Sequence, residues 1–327
     1  MRRRHLLSAL PAALVSRPGW TQSASSGTWP ERPIRIVVPY APGGSTDTGA
    51  RALGERLEKI LGQPIVVENK AGGGTIIGTE TVAKAKADGY TMLLATGALA
   101  VNAAFDMALP YDTYRDLAPV AHFFDVPILV AAHPDAPFKT MVELIEMAKK
   151  SGSTPIPYAS ASGGSMQHLW AELLKMQLGL RIEGVGYKGS SEAVRDVMGG
   201  HVPLLVDLLV PTGAAVKSGK LRGLAVAMPQ RAPLLPDVPT MREAGVNGLE
   251  GAIFNGFMAP AATPTAVVSR LNQAINQALG DPDLRKRLTD MGFNLIGGTS
   301  EQFGQTLAKE TATWRKVIKE ARIPAPA

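Results

Sequence analysis

The apolar residues of this chain follow two alternating rhythms. From Pro33, the run IRIVV is short and rich in β-branched residues, and Pro39 and the Gly43-Gly44 turn close it, which predicts a buried parallel strand. The period then changes. Ala50, Leu53, Leu57 and Leu61 recur at helical spacing until Gly62 and Pro64 end the helix. IVVEN (65–69) predicts a second strand, a Gly72-Gly73-Gly74 loop leads into a helix through Val82, and YTMLLAT (90–96) predicts a third strand after Asp88-Gly89. The same order returns after Tyr158: strand PYAS (157–160), a helix over 165–178 closed by Gly179, strand IEGVGY (182–187), a helix over 190–198, and strand VPLLVDLL (202–209). LRGLAVAM (221–228) adds a further strand.

Two segments at equivalent places in these halves look alike, PYAPGGSTDTGAR (39–51) and YASASGGSMQHLW (158–170). Each reads as strand, Gly-Gly turn and helix start. Such a turn leaves backbone N–H groups pointing into the crevice at the positive end of the helix dipole, where an anion is favoured. Alternating strands and helices with short loops predict an α/β fold of two open domains, with ligand loops at the carboxyl ends of the strands. APVAHFFDVPILVAAHP (118–134) and GAIFNGFMAPAATP (251–264) read as crossings between the halves, and three tail helices (265–279, 282–291, 301–321) would rejoin the first. The predicted organisation is domain one over 26–127 and 251–327, and domain two over 128–250. Two crossover strands join the lobes at a hinge whose closure can bury a ligand.

The first residues change the picture of the charge. MRRRHLLSALPAALVSRPGW carries Arg2, Arg3 and Arg4 before a short apolar run, too short to span a bilayer, so residues 1–25 read as an export signal cut near Ser23-Ala24-Ser25. Arg3-Arg4 fits a twin-arginine address, and a Sec signal fits equally. Without this segment four Arg leave, the 34 basic residues fall to 30 against 28 acids, and the formal charge drops from +6 to +2. No long basic run remains, which argues against nucleic acid as a partner. Cysteine is absent, which excludes disulfides, thiolate nucleophiles and Cys-ligated metals. No cofactor or metal is expected.

The motifs IRIVVPYAPGGSTDTGAR, NKAGGG, ADGYTMLLAT, LPYDTYRDLAPVA, YASASGGSMQHLWAELL, YKGSSEAVRDVMGGHV and LRGLAVAMPQRAPLLPDVPTMREAG occur in one order over most of the chain. In this combination the chain resembles the tripartite tricarboxylate transporter substrate-binding proteins, the Bug or TctC-like group. The resemblance implies a two-lobed, type II-like periplasmic solute-binding protein that closes on a small organic carboxylate. It implies membrane permease subunits, or a sensor kinase, as partners, and a monomer. It also implies ligand contact by Tyr40, Gly43, Gly44, Ser45, Thr46 and Asp47 from the first loop, and by Ser160, Ser162, Gly163, Gly164 and Ser165 from the second. Thr96, Gly97, Tyr187 and Asp207 should face the same cleft. Gly186 stands where the family commonly has Pro before Tyr-Lys-Gly, and Ala103-Ala104 follow Asn102 where Asn-Pro is common.

Each of these residues has a plainer reading. The glycines can serve tight turns alone, and Asp47 can cap the first helix; a cleft role for Asp47 would run through water or a ligand amino group, because a carboxylate repels a carboxylate. His168 is expected to pack. Asp207 ends an apolar strand, where a buried charge needs a partner. Gly72-x-Gly74-x-x-x-Gly78 is one residue too long for a dinucleotide fingerprint, and no H-E-x-x-H or G-x-S-x-G motif occurs. The expected function is therefore binding without catalysis. The alternatives are a secreted enzyme using Ser162 or Ser165 with His168, and a ligand sensor for a membrane kinase.

Overall fold

The computed structural model describes residues 29–325 apart from 106, 151, 153, 162–164, 188 and 250. The segment 1–25, together with Ser162, Gly163 and Gly164, lies outside the described residues. The first half runs β1 (Ile34–Val38), α1 (Ser45–Leu61), β2 (Ile65–Asn69), α2 (Ile76–Ala83), β3 (Thr91–Thr96) and α3 (Gly97–Ala104). A 16-residue strand, β4 (Leu117–Ala132), leads to α4 (Met141–Lys149), β5 (Ile156–Ala161), α5 (Met166–Leu178), β6 (Ile182–Tyr187), α6 (Ser190–Met198), β7 (Leu204–Leu208), α7 (Leu209–Lys217) and β8 (Arg222–Val226). The chain then returns through β9 (Ala252–Pro260), α8 (Thr265–Leu279), α9 (Pro282–Asp290), β10 (Asn294–Leu295) and α10 (Ser300–Ala321).

The strands make two sheets that share β4. In the first lobe the order is β2-β1-β3-β9-β4-β10, with β1, β2 and β3 parallel and β9 antiparallel between β3 and β4. In the second it is β6-β5-β7-β4-β8, with β5 parallel to β6 and β7, and β4 antiparallel to β7 and β8. The partners of β4 change at one peptide: Pro127 pairs with Ala252 of β9, and Ile128 pairs with Leu208 of β7.

The helical stripe predicted for α1 is buried at Ala50, Leu53, Leu57 and Leu61, and Gly62 ends the helix in the left-handed region at φ 70°. Gly179 closes α5 in the same way at φ 65°. The cores differ from the pair that the two halves imply. One cluster covers α1, α8 and the β4 aromatics Phe123 and Phe124, and another lies under α6 and α7. The third and largest is continuous across both lobes, from Leu93 and Leu99 through Ile128 and Phe254 to Tyr158 and Trp170. It is continuous because α10 packs on α3 and β4 of the first lobe and also on α5 of the second. Among the described residues, no helix is long and apolar enough to cross a membrane.

Candidate functional site

Strands β1, β3, β5 and β7 all end on one side of their sheets, and the helices that follow start there. The residues at these starts line a cleft of about 400 Å³, within the range of small-molecule sites. From the first lobe come Gly44, Ser45 and Thr46 of α1, Thr75 before α2, and Thr96, Ala98, Val101 and Asn102 of α3. From the second come Ala161, Ser165, Met166 and Gln167 of α5, and Leu208 before α7. Residues at the N-termini of five helices therefore line one volume, where the positive ends of helix dipoles favour an anion.

No side chain caps α1, so the amides of its first turn face the cleft without a protein acceptor from Gly44. Asp47, for which sequence reasoning expected a cleft role through water or a ligand amino group, holds the loop. Its carboxylate accepts from Gly43 N (2.9 Å), from Asn69 Nδ2 (3.0 Å) and from Arg51 Nε (3.1 Å), and Arg51 Nη2 lies 2.9 Å from Oδ1. Burial alone would raise its pKa, but the bonds from Arg51, Gly43 and Asn69, with the guanidinium charge, hold the carboxyl below the usual range. Asn69 also donates to Tyr40 O at 3.0 Å, so the whole loop is pinned to the end of β2. Tyr40 meets Thr96 Oγ1 through its hydroxyl at 2.8 Å, and Thr46 donates to Asn255 Oδ1 of β9 at 3.1 Å.

The Gly72–Gly74 segment, set aside as a nucleotide loop, forms part of this wall. Gly72, Gly73, Gly74 and Thr75 all have positive φ, and Thr75 sits at φ 81°. A β-branched residue is strained there and persists only when its surroundings over-determine it. Asn102 supplies that restraint by donating to Gly74 O (3.0 Å) and lying 3.4 Å from Thr75 Oγ1, while Thr79 Oγ1 donates to Thr75 O at 2.9 Å.

In the second lobe, Ser165 caps α5 by accepting from the backbone N–H of His168 at 3.3 Å. The bond that joins these two residues is thus a helix cap, not a nucleophile–base contact. Burial, the largest influence, lowers the His168 pKa. Asp207 is fully buried behind Gln167 and Leu208. Its Oδ1 accepts from Gln167 Nε2 (3.2 Å), Ser190 Oγ (2.7 Å) and Leu208 N (2.7 Å), while Oδ2 has no protein partner. Burial pushes its pKa up against those three bonds.

Of the residues expected at the site, Tyr40, Gly44, Ser45, Thr46, Thr96 and Ser165 line the cleft. Gly43, Asp47 and Asp207 sit behind the wall. Gly97 is where the lobes touch, since a Cβ there would lie 2.9 Å from Met166 Cε and 3.0 Å from Ile253 Cγ2. Ser160 is buried and donates to Ala161 O at 3.0 Å. Tyr187 turns away from the cleft: its hydroxyl donates to Asp196 of α6, and desolvation, with that carboxylate, pushes its pKa up to about 12. Sequence reasoning missed Gly74, Thr75, Val126, Ala161, Met166, Gln167, Ile253 and Asn255. Of these, Gly74 and Thr75 carried a signal in the glycine run, and Asn255 did as the polar residue inside the apolar run AIFNGF. Among the described residues, no cluster of His, Asp and Glu could hold a metal ion.

Residues 49–323 match the family described as TctC, the tripartite tricarboxylate transporter family receptor. BugT of Bordetella pertussis (strain Tohama I) is 35% identical over 316 residues, covering 96% of this chain and 97% of BugT. A protein of R. palustris solved with adipate superimposes with a TM-score of 0.79 at 35% identity, over 90% of this chain and 99% of that one. MatC from Rhodopseudomonas palustris with bound malate does so with a TM-score of 0.75 at 33% identity, over 89% of this chain and 100% of MatC. By sequence over nearly its whole length and by the architecture of its two sheets, the chain belongs to the tripartite tricarboxylate transporter receptor family of periplasmic solute-binding proteins.

Proposed function

We propose that this protein captures a small organic carboxylate between its lobes in the periplasm and presents it to the membrane subunits of a tripartite transporter. The observation that carries the reading is the convergence of five helix N-termini on one cleft. Amides of α1, beginning at Gly44 and Ser45, take one face of the carboxylate, and the loop 162–165 takes the other. Residues 26–127 with 251–327 act as one lobe and 128–250 as the other, and residues 1–25 are removed on export. The adipate and malate complexes of related proteins support an acid as the ligand. The solute-binding character of the family and the malate- and adipate-bound relatives favour binding without chemistry.

The test is a calorimetric and thermal-shift screen of residues 26–327 against mono-, di- and tricarboxylates. A bound acid at 1,000 times its Kd stabilises the folded state by about 4 kcal/mol, which raises the melting point by several degrees. Failure of every acid to bind ligand-free protein would defeat the reading. For the partner, detergent extracts of the membrane should yield a permease complex with the closed, ligand-bound protein; recovery of a histidine kinase instead would assign it to signalling.

A further inference from the structure

The carboxylate reading leaves the rest of the ligand undefined, and the wall opposite the α1 loop bears on it. That wall is carbon: Ala98, Val101, Val126, Met166, Leu208 and Ile253 line the cleft from both lobes and from β4 and β9. Ser45, Thr75 and Ser165 add small hydroxyls to the lining, and several other polar side chains there are bonded within the protein. Tyr40 is bonded to Thr96, Thr46 to Asn255, Asn102 to the Gly74 carbonyl, and Gln167 to Asp207. Among the described residues, no Lys or Arg lines the cleft. Asp207 lies behind this lining, an acid held by Gln167 and by the amide of Leu208, both of whose residues face the cleft.

We infer that the cleft selects monocarboxylates with an uncharged apolar body and discriminates against a second carboxylate or an ammonium group on that body. This rests on the carboxylate reading and deepens it. One anion can be held by the helix N-termini, but a second would lie against hydrocarbon with Asp207 behind it and no described cation to balance it. An ammonium group fares little better. Asp207 is fully buried and its Oδ1 already accepts from Gln167, Ser190 and the Leu208 amide, so those groups stand between its carboxylate and a cation in the cleft. An alkyl or aryl body instead displaces water from carbon surface, which is the favourable exchange for such a wall.

The experiment is titration calorimetry on residues 26–327, freed of co-purified ligand, with two matched pairs and one small hydroxy-diacid. Hexanoate and adipate share a chain and differ by one carboxylate. 3-Phenylpropanoate and phenylalanine share a body and differ by an ammonium group. Malate is the fifth probe. The expected result is that, in whichever pair binds, the plain acid binds at least tenfold tighter than its charged relative and tighter than malate. A preference below tenfold, a reversal, or malate as the tightest ligand overturns the inference while leaving the carboxylate reading intact. Absence of binding by all five, and by the wider panel of acids, overturns both.

Discussion

If the amides of α1 grip a carboxylate, a carboxylate built into the protein at the same place should displace it. Gly44 allows that substitution without disturbing the fold: its φ of −76° and ψ of 173° suit any residue, and no atom lies within 4 Å of a Cβ added there. It is the N-cap of α1, and an Asp side chain at an N-cap accepts from the second or third amide of the helix. Gly44→Asp therefore adds a favourable cap worth a few tenths of a kcal/mol, plus about 0.3–1 kcal/mol from the dipole, offset in part by repulsion from Asp47. The melting point without ligand should stay within about 2 °C of the parent. Binding is another matter. Two unit charges about 4 Å apart repel by about 4 kcal/mol at an effective dielectric constant of 20, roughly a thousandfold in Kd. Gly44→Asn, which has the same shape without the charge, competes only as a hydrogen-bond acceptor and should cost about 1 kcal/mol, roughly fivefold. Gly44→Ala should be neutral. The assay is titration calorimetry with the tightest acid found, alongside thermal melts of each variant. Equal affinities for the Asp and Asn variants, with both folded, would mean that the carboxylate is held elsewhere.

Three further substitutions probe the supports of the cleft. Asp47→Ala removes the acceptor for Gly43, Asn69 and Arg51 and should cost about 1.5–3 kcal/mol at neutral pH, given that Arg51 is half exposed. Because the Asp47 pKa is depressed on folding, that stability is present above the unfolded value, about 3.9, and is lost as pH falls through the lower folded value. Thermal melts of parent and variant should converge in acid, and a difference that persists there would contradict the assignment. Asp207 has the opposite sign. Its raised pKa makes the parent lose stability as pH rises from the unfolded towards the folded pKa, so Asp207→Asn should melt higher at pH 7 and show a flatter profile between pH 4 and 8; parallel profiles would argue against it. Gly78→Ala would set a Cβ 2.8 Å from Pro39 Cβ and 2.9 Å from Lys70 O, contacts that only backbone movement can relieve. It should destabilise by about 1–3 kcal/mol and weaken binding through the Pro39–Tyr40 segment; an unchanged melting point would show that the strand-to-helix contact is soft.

β1, β3, β5 and β7 were legible because parallel strands buried on both faces read as apolar runs, and α1 and α5 were legible because a glycine stops each. α3 and α7 were not, for a physical reason: Thr96 passes directly into Gly97, and Leu208 into Leu209, with no turn residue between strand and helix. In VPLLVDLLV the apolar run continues across the junction, so periodicity cannot mark it. α4 did carry a signal, Thr140 followed by Glu143, which the structure uses as a cap. The Gly43-Gly44 turn at the site stood out because turns limit composition. The opposite wall did not, since Val126, Met166 and Ile253 have the composition of core residues, and only the meeting of two lobes makes them a surface. Asp47 could be read two ways because its helix-start position is compatible with either a ligand or a loop. The deciding residue, Asn69, lies on a neighbouring strand.

The placement of β9 also governs the order in which the molecule can be made. β9 is hydrogen-bonded between β3 and β4, although about 120 residues of chain separate it from the end of β4. Until residues 252–260 emerge from the ribosome, β3 and the first part of β4 are two unpaired edges facing an empty strand position. β4 through β8, by contrast, is one continuous stretch that needs nothing further to complete its sheet. Synthesis therefore leaves the amino-terminal half open longest, dependent on a late, distant strand for closure, which is the slow and aggregation-exposed class of pairing. A chain in that condition gives a chaperone a defined interval, between the synthesis of β4 and that of β9, in which to act.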